Sequence, residues 1–371
     1  MAKAEYRVYF DNAPASAEQL ALFTEIRIDQ GIGIAAEAEL DLPVGTDDAG
    51  VWAGIEDDIA QPFVRVRIEV KVADADFLPL IDGMVVGNRY EMKSAPNQST
   101  MTLIVQDDSV QLNRDEKVVL FEDMAPQDIV TSLFTDVGFS ADVDAAPDAG
   151  AALQRVVVQR GTSMQLLRDL AKRYGMFTYV KPGEAPGLSV GMFKRPQFDA
   201  ADLPEILLVG DKCNVASFSA EFDALRPIKA QAGSISLADR SVLTSRTDAA
   251  DIAPLGDAAT HDLTQPAVML LTGTREEQTD LDAATSATVD LSSWAYAANG
   301  ELDADNYEGV MQPHHLVRVR GIGGYLSGDY LIGRVTHVLT DHGYRQKFSL
   351  HRNARSAGGA GGGAGMASGV F

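Results

Sequence analysis

The sequence predicts a mainly β protein with α+β insertions, and three stretches carry that prediction. The first is Phe63-Val-Arg-Val-Arg-Ile-Glu-Val-Lys-Val72, where Val64, Val66, Ile68, Val70 and Val72 share one face. Arg65, Arg67, Glu69 and Lys71 share the other, the period of two of a half-buried antiparallel strand. The second is 107–181, where two strand-then-helix runs follow one another. The third is Gly309–Asn353, a succession of short strands joined by glycine turns.

Before the first helix the chain reads as sheet. Glu25–Asp29 alternates, Glu37–Leu42 does so more weakly, and Leu80–Val86 and Ser99–Gln106 continue, with a turn at Ala95-Pro-Asn97. In the first strand-helix run, Lys117–Phe121 is the strand and Asp123 the cap, with Pro126 in the first turn. Ile129, Leu133 and Val137 follow at helical spacing, and Gly138 is the stop. In the second, Arg155–Gln159 is the strand and Thr162 or Ser163 the cap. Leu166, Leu167, Leu170 and Tyr174 form the apolar stripe, Gly175 the stop, and Met176–Val180 the returning strand. These read as two small β-α-β units. Strands resume at 188–190, 206–209, 216–222 and 227–235; 240–275 is a long loop or a small strand pair. A third helix runs from Glu277 through Ala298 and ends near Gly300, its stripe Leu281, Ala284, Thr288, Leu291 and Ala295. The Gly/Ala/Ser-rich end, 356–371, reads as a flexible tail.

Composition narrows the function classes. A chain of 371 residues with 46% hydrophobic and 23% charged residues reads as a multidomain globular protein. Its formal net charge of −22 argues against stable nucleic-acid binding, which needs a basic face. The charge is uneven: Arg240–Glu308 holds three Arg against thirteen acids, whereas Gly309–Arg355 holds seven basic residues against two Asp. Adjacent blocks of opposite sign suit docking. The N-terminus has no signal-peptide pattern and no apolar run is long enough to span a membrane, so the expectation is a chain made in the cytoplasm with no membrane insertion. The one cysteine, Cys213, reads as a small core or semi-buried residue.

Candidate chemistry is sparse. The six histidines (His261, His314, His315, His337, His342, His351) show no metal-ligand spacing, and the adjacent His314 and His315 would face opposite sides of a strand. Asp303-Ala-Asp305 lacks the spacing of a calcium loop. Gly31-Ile-Gly33 and Gly321–Gly324 read as turns rather than phosphate loops. The acidic runs at 46–48, 56–58 and 106–108 read as turns, and Trp52 and Trp294 as core. No catalytic residue, metal site or cofactor is expected.

The C-terminal residues carry a resemblance. Gly300, Pro313, Gly321–Gly324, Gly328-Asp-Tyr330, Arg334-Val-Thr-His337, Gly343-Tyr344, Phe348 and Arg352-Asn353 follow in an order that resembles the phage late-control gene D family of baseplate hubs. That family is itself similar to the N-terminal hub part of VgrG spike proteins. Gln159–Tyr179 resembles a second family segment, with Met164 where an acidic residue is common. The motif residues are Thr162, Leu166, Leu167, Leu170, Gly175, Gly328, Tyr330, His337, Arg352 and Asn353, all in structural roles.

The resemblance implies two tube-protein-like β-barrel domains per chain in a homotrimeric ring, adapting a sixfold inner tube to a threefold spike and seeding tube assembly. Implied partners are further copies of the chain, the inner tube protein, a separate trimeric spike protein and other baseplate proteins, in a phage virion or contractile injection particle. The separate spike is expected because the chain ends eighteen residues after Asn353. The implied division is 1–106 for part of the first barrel, 107–185 for the α+β domain and 186–240 for joining strands. It continues with 241–300 for the acidic loop and helix, 301–355 for the second barrel's last strands and 356–371 for the tail. A tail-associated cell-wall hydrolase and a carbohydrate- or receptor-binding β-protein are the alternatives.

Overall fold

A computed structural model describes residues 4–46, 52–53, 58–95, 98–146, 156–196, 198, 203–236, 240–272 and 277–357. The acidic runs at 46–48 and 56–58, the turn at 95–97, the start of the strand at Arg155 and most of the tail lie wholly or partly outside those residues. Two compact units form, one from 1–196 with 334–346, the other from 197–333 with 347–371.

The first unit begins with β1 (Ala4–Phe10), β2 (Ala13–Pro14), α1 (Ala17–Leu20), β3 (Glu25–Gly31), β4 (Glu37–Thr46), β5 (Trp52–Ala53), β6 (Arg65–Val72), β7 (Leu78–Glu91), β8 (Ser99–Asp107) and α2 (Ser109–Leu112). A lobe follows: β9 (Glu116–Glu122), α3 (Pro126–Thr135), β10 (Ser140–Val143), β11 (Val156–Thr162), α4 (Ser163–Tyr174), β12 (Phe177–Pro182) and β13 (Ser189–Lys194). The second unit holds β14 (Ile206–Leu207), β15 (Val215–Phe222), β16 (Ile228–Ile235), β17 (Val242–Thr247), β18 (Ala258–Ala259), β19 (Ala267–Thr272), α5 (Gln278–Ser292), β20 (Tyr296–Asp303) and β21 (Leu316–Arg320). Three strands close the chain: β22 (Gly328–Thr340), β23 (Gly343–Arg352) and β24 (Ala354–Arg355). The β22–β23 hairpin serves both units, its tip half in the first and its base half in the second.

In the first unit the antiparallel sheet runs β23-β22-β3-β4-β8-β7-β6-β1-β2. Val66, Ile68, Val70 and Val72 are buried with Ile26, Ile28, Leu40, Leu103 and Val105 to make its core. The sheet curls: the Gln30 side chain on β3 donates to the Leu80 carbonyl on β7 (2.6 Å), three strands away in the pairing order. It does not close. Among the described residues β2, at the end of the ladder, pairs only with β1, so the expected barrels are corrected: no closed barrel forms.

The lobe also differs from the expected pair of β-α-β units. β9 and β11 pair with each other as an antiparallel ribbon, while β10 and β12 flank β13 in a separate three-stranded sheet. Each helix therefore carries the chain from ribbon to sheet, and the strands on its two sides never share a ladder. α3 lies close over the three-stranded sheet, where a Cβ on Gly191 would come within 2.2 Å of the Phe134 ring. The cap of α3 is Ala125, not Asp123, which instead takes a left-handed φ of 55°.

In the second unit β17, β16 and β19 form a sheet against which α5 packs. The segment read as loop or strand pair thus contributes β17, β18 and β19. α5 stops at Ser292, and Tyr296–Asp303 is strand, so the expected helix end at Gly300 is wrong. Its buried positions include Leu281, Thr285 and Val289, spaced by four; Leu291 is exposed. Gly300 sits mid-strand because a Cβ there would meet the Phe348 ring at 2.4 Å and the Ser217 carbonyl at 2.8 Å. Trp294 is buried as expected, but Trp52 is exposed at the end of a β4–β5 hairpin, and Cys213 is exposed.

Candidate functional site

The motif residues fall into three places. Thr162 caps α4: its Oγ1 accepts from the Gln165 amide (3.2 Å), and Gln165 Oε1 accepts from the Thr162 amide (3.0 Å). This reciprocal capping box satisfies two otherwise orphaned donors. Thr162 Oγ1 also donates to Asn113 Oδ1 (3.0 Å), tying the cap to the end of α2. Leu166, Leu167 and Leu170 are buried, and Gly175 ends the helix at φ 64°, left-handed backbone that favours glycine. Nothing in this group can react; it caps and packs.

Gly328, Tyr330, Arg352 and Asn353 meet at the base of the C-terminal hairpin. The buried Arg352 guanidinium donates through Nε to Leu255 O (2.8 Å), through Nη1 to the carbonyls of Tyr325, Leu326 and Ser327, and through Nη2 to Ser356 Oγ (2.8 Å). It lies over the Tyr330 ring, 5.4 Å from its centroid. Gly328 has φ +148°, and a Cβ there would be 2.3 Å from Arg352 Nη2. Asn353 completes the knot, accepting from the Leu255 amide (2.8 Å) and donating to Ala253 O (2.9 Å). Three separate segments are thereby fixed to one strand end.

His337 belongs to the other unit, wholly buried on β22. Its Nε2 is 3.0 Å from Gln30 Oε1, and its Nδ1 is 2.7 Å from the Tyr344 hydroxyl. Gln30 Nε2 is already a donor to Leu80 O, so Gln30 Oε1 must accept. Hence the network assigns the proton to His337 Nε2, and Nδ1 accepts from Tyr344. Burial pushes the His337 imidazole down to about 3, with Asp29 acting weakly against it, so the ring is neutral at ordinary pH. The arrangement is a brace of directed hydrogen bonds inside the curled sheet.

A fourth cluster was missed from the sequence. Arg67 and Asp82 face each other across β6 and β7, both buried. Arg67 Nε donates to Glu69 (2.8 Å), and Nη1 to Asp82 Oδ2 (3.1 Å), Gly183 O (2.9 Å) and Ala185 O (3.2 Å). Arg65 joins Asp108 in a two-pronged ion pair, and its Nε lies 2.8 Å from Asp82 Oδ1. Asp107 accepts from the Ala36 and Ser109 amides (2.6 and 2.9 Å). Burial still raises its carboxyl to about 6, against those hydrogen bonds. The sequence predicts a half-buried strand for β6; the turn at 183–187 covers Arg67 on its charged face. Asp82, a carboxylate inside the apolar run Leu80–Val86, was the available signal.

The surface carries two bare apolar β elements. On the β9–β11 ribbon, Val118, Leu120, Val156 and Val158 are exposed, Leu120 opposite Val158. On β19, Val268, Met269 and Leu270 are exposed, covering both faces of the strand. Beside the ribbon an open depression of about 460 Å³ is lined by Glu116, Lys117, Arg160 and Gln165, with no nucleophile set beside a base. Among the described residues no three His, Cys, Asp or Glu side chains converge as a metal site, and no helix is long and apolar enough to cross a membrane.

Comparison with known proteins places this arrangement. A family model described as the Alg8 N-terminal domain matches residues 13–341. No curated protein matches the chain. Among solved structures, the 43 kDa tail protein of prophage MuSo2 from Shewanella oneidensis is similar over 94% of this chain and 98% of its own, at 14% identity and a TM-score of 0.67. The tail protein of Neisseria meningitidis MC58 is similar over 94% and 96%, at 12% identity and a TM-score of 0.61. An Escherichia coli type VI secretion component, described as structurally similar to the T4 bacteriophage tail proteins gp27 and gp5, matches over 96% and 79%, at 9% identity and a TM-score of 0.53. At these identities the likeness is one of fold.

Proposed function

The chain belongs to the Alg8 N-terminal domain family; from its fold, which is that of phage tail proteins, we infer a structural hub in the baseplate of a phage tail or contractile injection particle. The observation that carries this reading is the extent of the fold match, nearly end to end on both chains with the MuSo2 tail protein. A shared fold does not by itself fix a function. Here the surface supports the reading too. Two bare apolar β elements are what a chain built to be covered by neighbours leaves exposed.

In this reading the protein is not an enzyme. It forms a homotrimeric ring, docks the inner tube protein on one side and a trimeric spike on the other, and contacts other baseplate proteins. Its work is mechanical: three copies, each with two units, present six docking surfaces to a sixfold tube while keeping threefold symmetry for the spike. The motif residues serve that role as braces, fixing the C-terminal hairpin (His337, Gly328, Tyr330, Arg352, Asn353) and α4 (Thr162, Leu166, Leu167, Leu170, Gly175). The test is a cryo-electron microscopy reconstruction of the assembled particle together with light scattering on the purified chain. A threefold ring between tube and spike is expected. Absence from the particle, or a strict monomer that neither tube nor spike protein assembles, would overturn the reading.

A further inference from the structure

We propose that the Arg65–Arg67 cluster is a latch that fixes the lobe of residues 116–194 in one orientation on the first unit's sheet, and that the lobe moves as a body when the latch opens. The lobe has a core of its own. Ile129, Val130, Leu133, Phe134, Leu167, Leu170, Met192 and Phe193 are buried within it, between α3, α4 and the three-stranded sheet. A segment with its own core keeps its structure when its attachments change.

A group of polar ties attaches it to the sheet at the β12–β13 turn. The chain enters through the short link Asn113–Asp115 after α2. The β12–β13 turn is then held by side chains of the sheet: Arg67 Nη1 on the carbonyls of Gly183 and Ala185, Asp82 Oδ2 on the Gly187 amide (3.0 Å), and Asp108 Oδ2 on Ser189 Oγ (2.6 Å). The Thr162–Asn113 hydrogen bond adds one more tie at the α4 cap. Hydrogen bonds to buried charged groups are directional and strong when complete. They fix an orientation in a way that non-directional apolar contact does not.

The same cluster is sensitive to the loss of any one member. Glu69, Asp82, Asp107 and Asp108 outnumber Arg65 and Arg67, and all but Arg65 are buried. Arg65 Nε and Asp82 Oδ1, 2.8 Å apart as an ion pair, have no other hydrogen-bond partner among the described residues. A buried ion-pair network that loses one member leaves uncompensated charge, which weakens the ties that remain.

The experiment places spin labels on Arg27→Cys in β3 and Lys172→Cys in α4, in the full chain with Cys213→Ser; both label sites are exposed. The distance distribution is read by pulsed electron paramagnetic resonance, alongside amide exchange by mass spectrometry. With the native cluster a single narrow distance is expected. In Arg67→Lys, which keeps the charge but loses the fork, the distribution broadens. Exchange across 183–189 rises about tenfold or more, while α3 and α4 stay protected. A narrow, unchanged distribution would overturn the latch. So would simultaneous loss of protection in lobe and sheet, which would make the cluster part of a single folding core. Ser189→Ala, which removes one hydrogen bond, guards against gross misfolding in the first variant: partial broadening is expected, and none would count against the proposal.

Discussion

Arg352 donates to four carbonyls and a hydroxyl drawn from three chain segments, so its removal leaves several buried acceptors without partners. Each such loss costs about 1–3 kcal/mol. Arg352→Met should therefore lower stability by about 3 kcal/mol or more in urea unfolding. Arg352→Lys should recover little, because an ammonium cannot reach both sides of the fork. His337 gives a pH dependence at the same scale. The imidazoles of His337 and His314 are both held down to about 3 by burial, against an ordinary value of 6.5. Both bind protons more readily in the unfolded chain. Stability from this source is thus full above about pH 6.5 and declines as pH falls towards 3. Asp107 has the opposite sign. Its carboxyl, raised from 3.8 to about 6, binds a proton more readily in the fold, so its penalty is relieved as pH falls through 6 towards 4. Replacing His337 with Gln, which cannot charge, should flatten the stability-versus-pH curve between pH 6 and 4 by about 1.4 kcal/mol per pH unit. Urea midpoints across that range check it, and parallel curves would contradict the buried, neutral assignment.

At the scale of elements, α4 shows what local chemistry can reveal. Thr162, offered with Ser163 as the cap, leucines at helical spacing and Gly175 as the stop are set by neighbours in sequence and legible there; the Gln165 half of the capping box comes from the structure. Thr162→Ala should cost about 1 kcal/mol, the usual worth of an N-cap, seen as a drop in the unfolding midpoint. α5 shows the limit. Its alanine-rich end continues a helical pattern past Ser292. What turns Tyr296–Asp303 into strand is pairing with β15, more than seventy residues earlier in the chain. The ribbon of β9 with β11 and the burial of Arg67 were hidden for the same reason. Each depends on a partner brought in from far along the sequence, while spacing reports only on near neighbours. Gly300 tests this tertiary control: Gly300→Val should fit a strand by local preference. It should nevertheless destabilise by about 1–3 kcal/mol, through overpacking against the Phe348 ring and the Ser217 carbonyl.

For the whole molecule the decisive surface is β19. Its exposed Val268, Met269 and Leu270 carry no charge, and no proline or bulge interrupts its pairing with β16. Those are the devices by which sheet edges are kept from pairing with other chains. A net charge of −22 opposes association at long range, but charge repulsion between exposed groups is screened within about 8 Å at physiological salt. An apolar edge then dominates on close approach. The isolated chain should accordingly self-associate more as salt is raised, the reverse of an assembly held by surface ion pairs. Leu270→Lys places a charge on the exposed face and should weaken that association several-fold. The unfolding free energy from urea titration should stay within about 0.5 kcal/mol of the parent, since an exposed position away from the core contributes little to folding. Sedimentation equilibrium at two salt concentrations separates the cases. Association that weakens with salt, or that Leu270→Lys leaves intact, would move the contact away from β19 and onto the charged faces of the molecule.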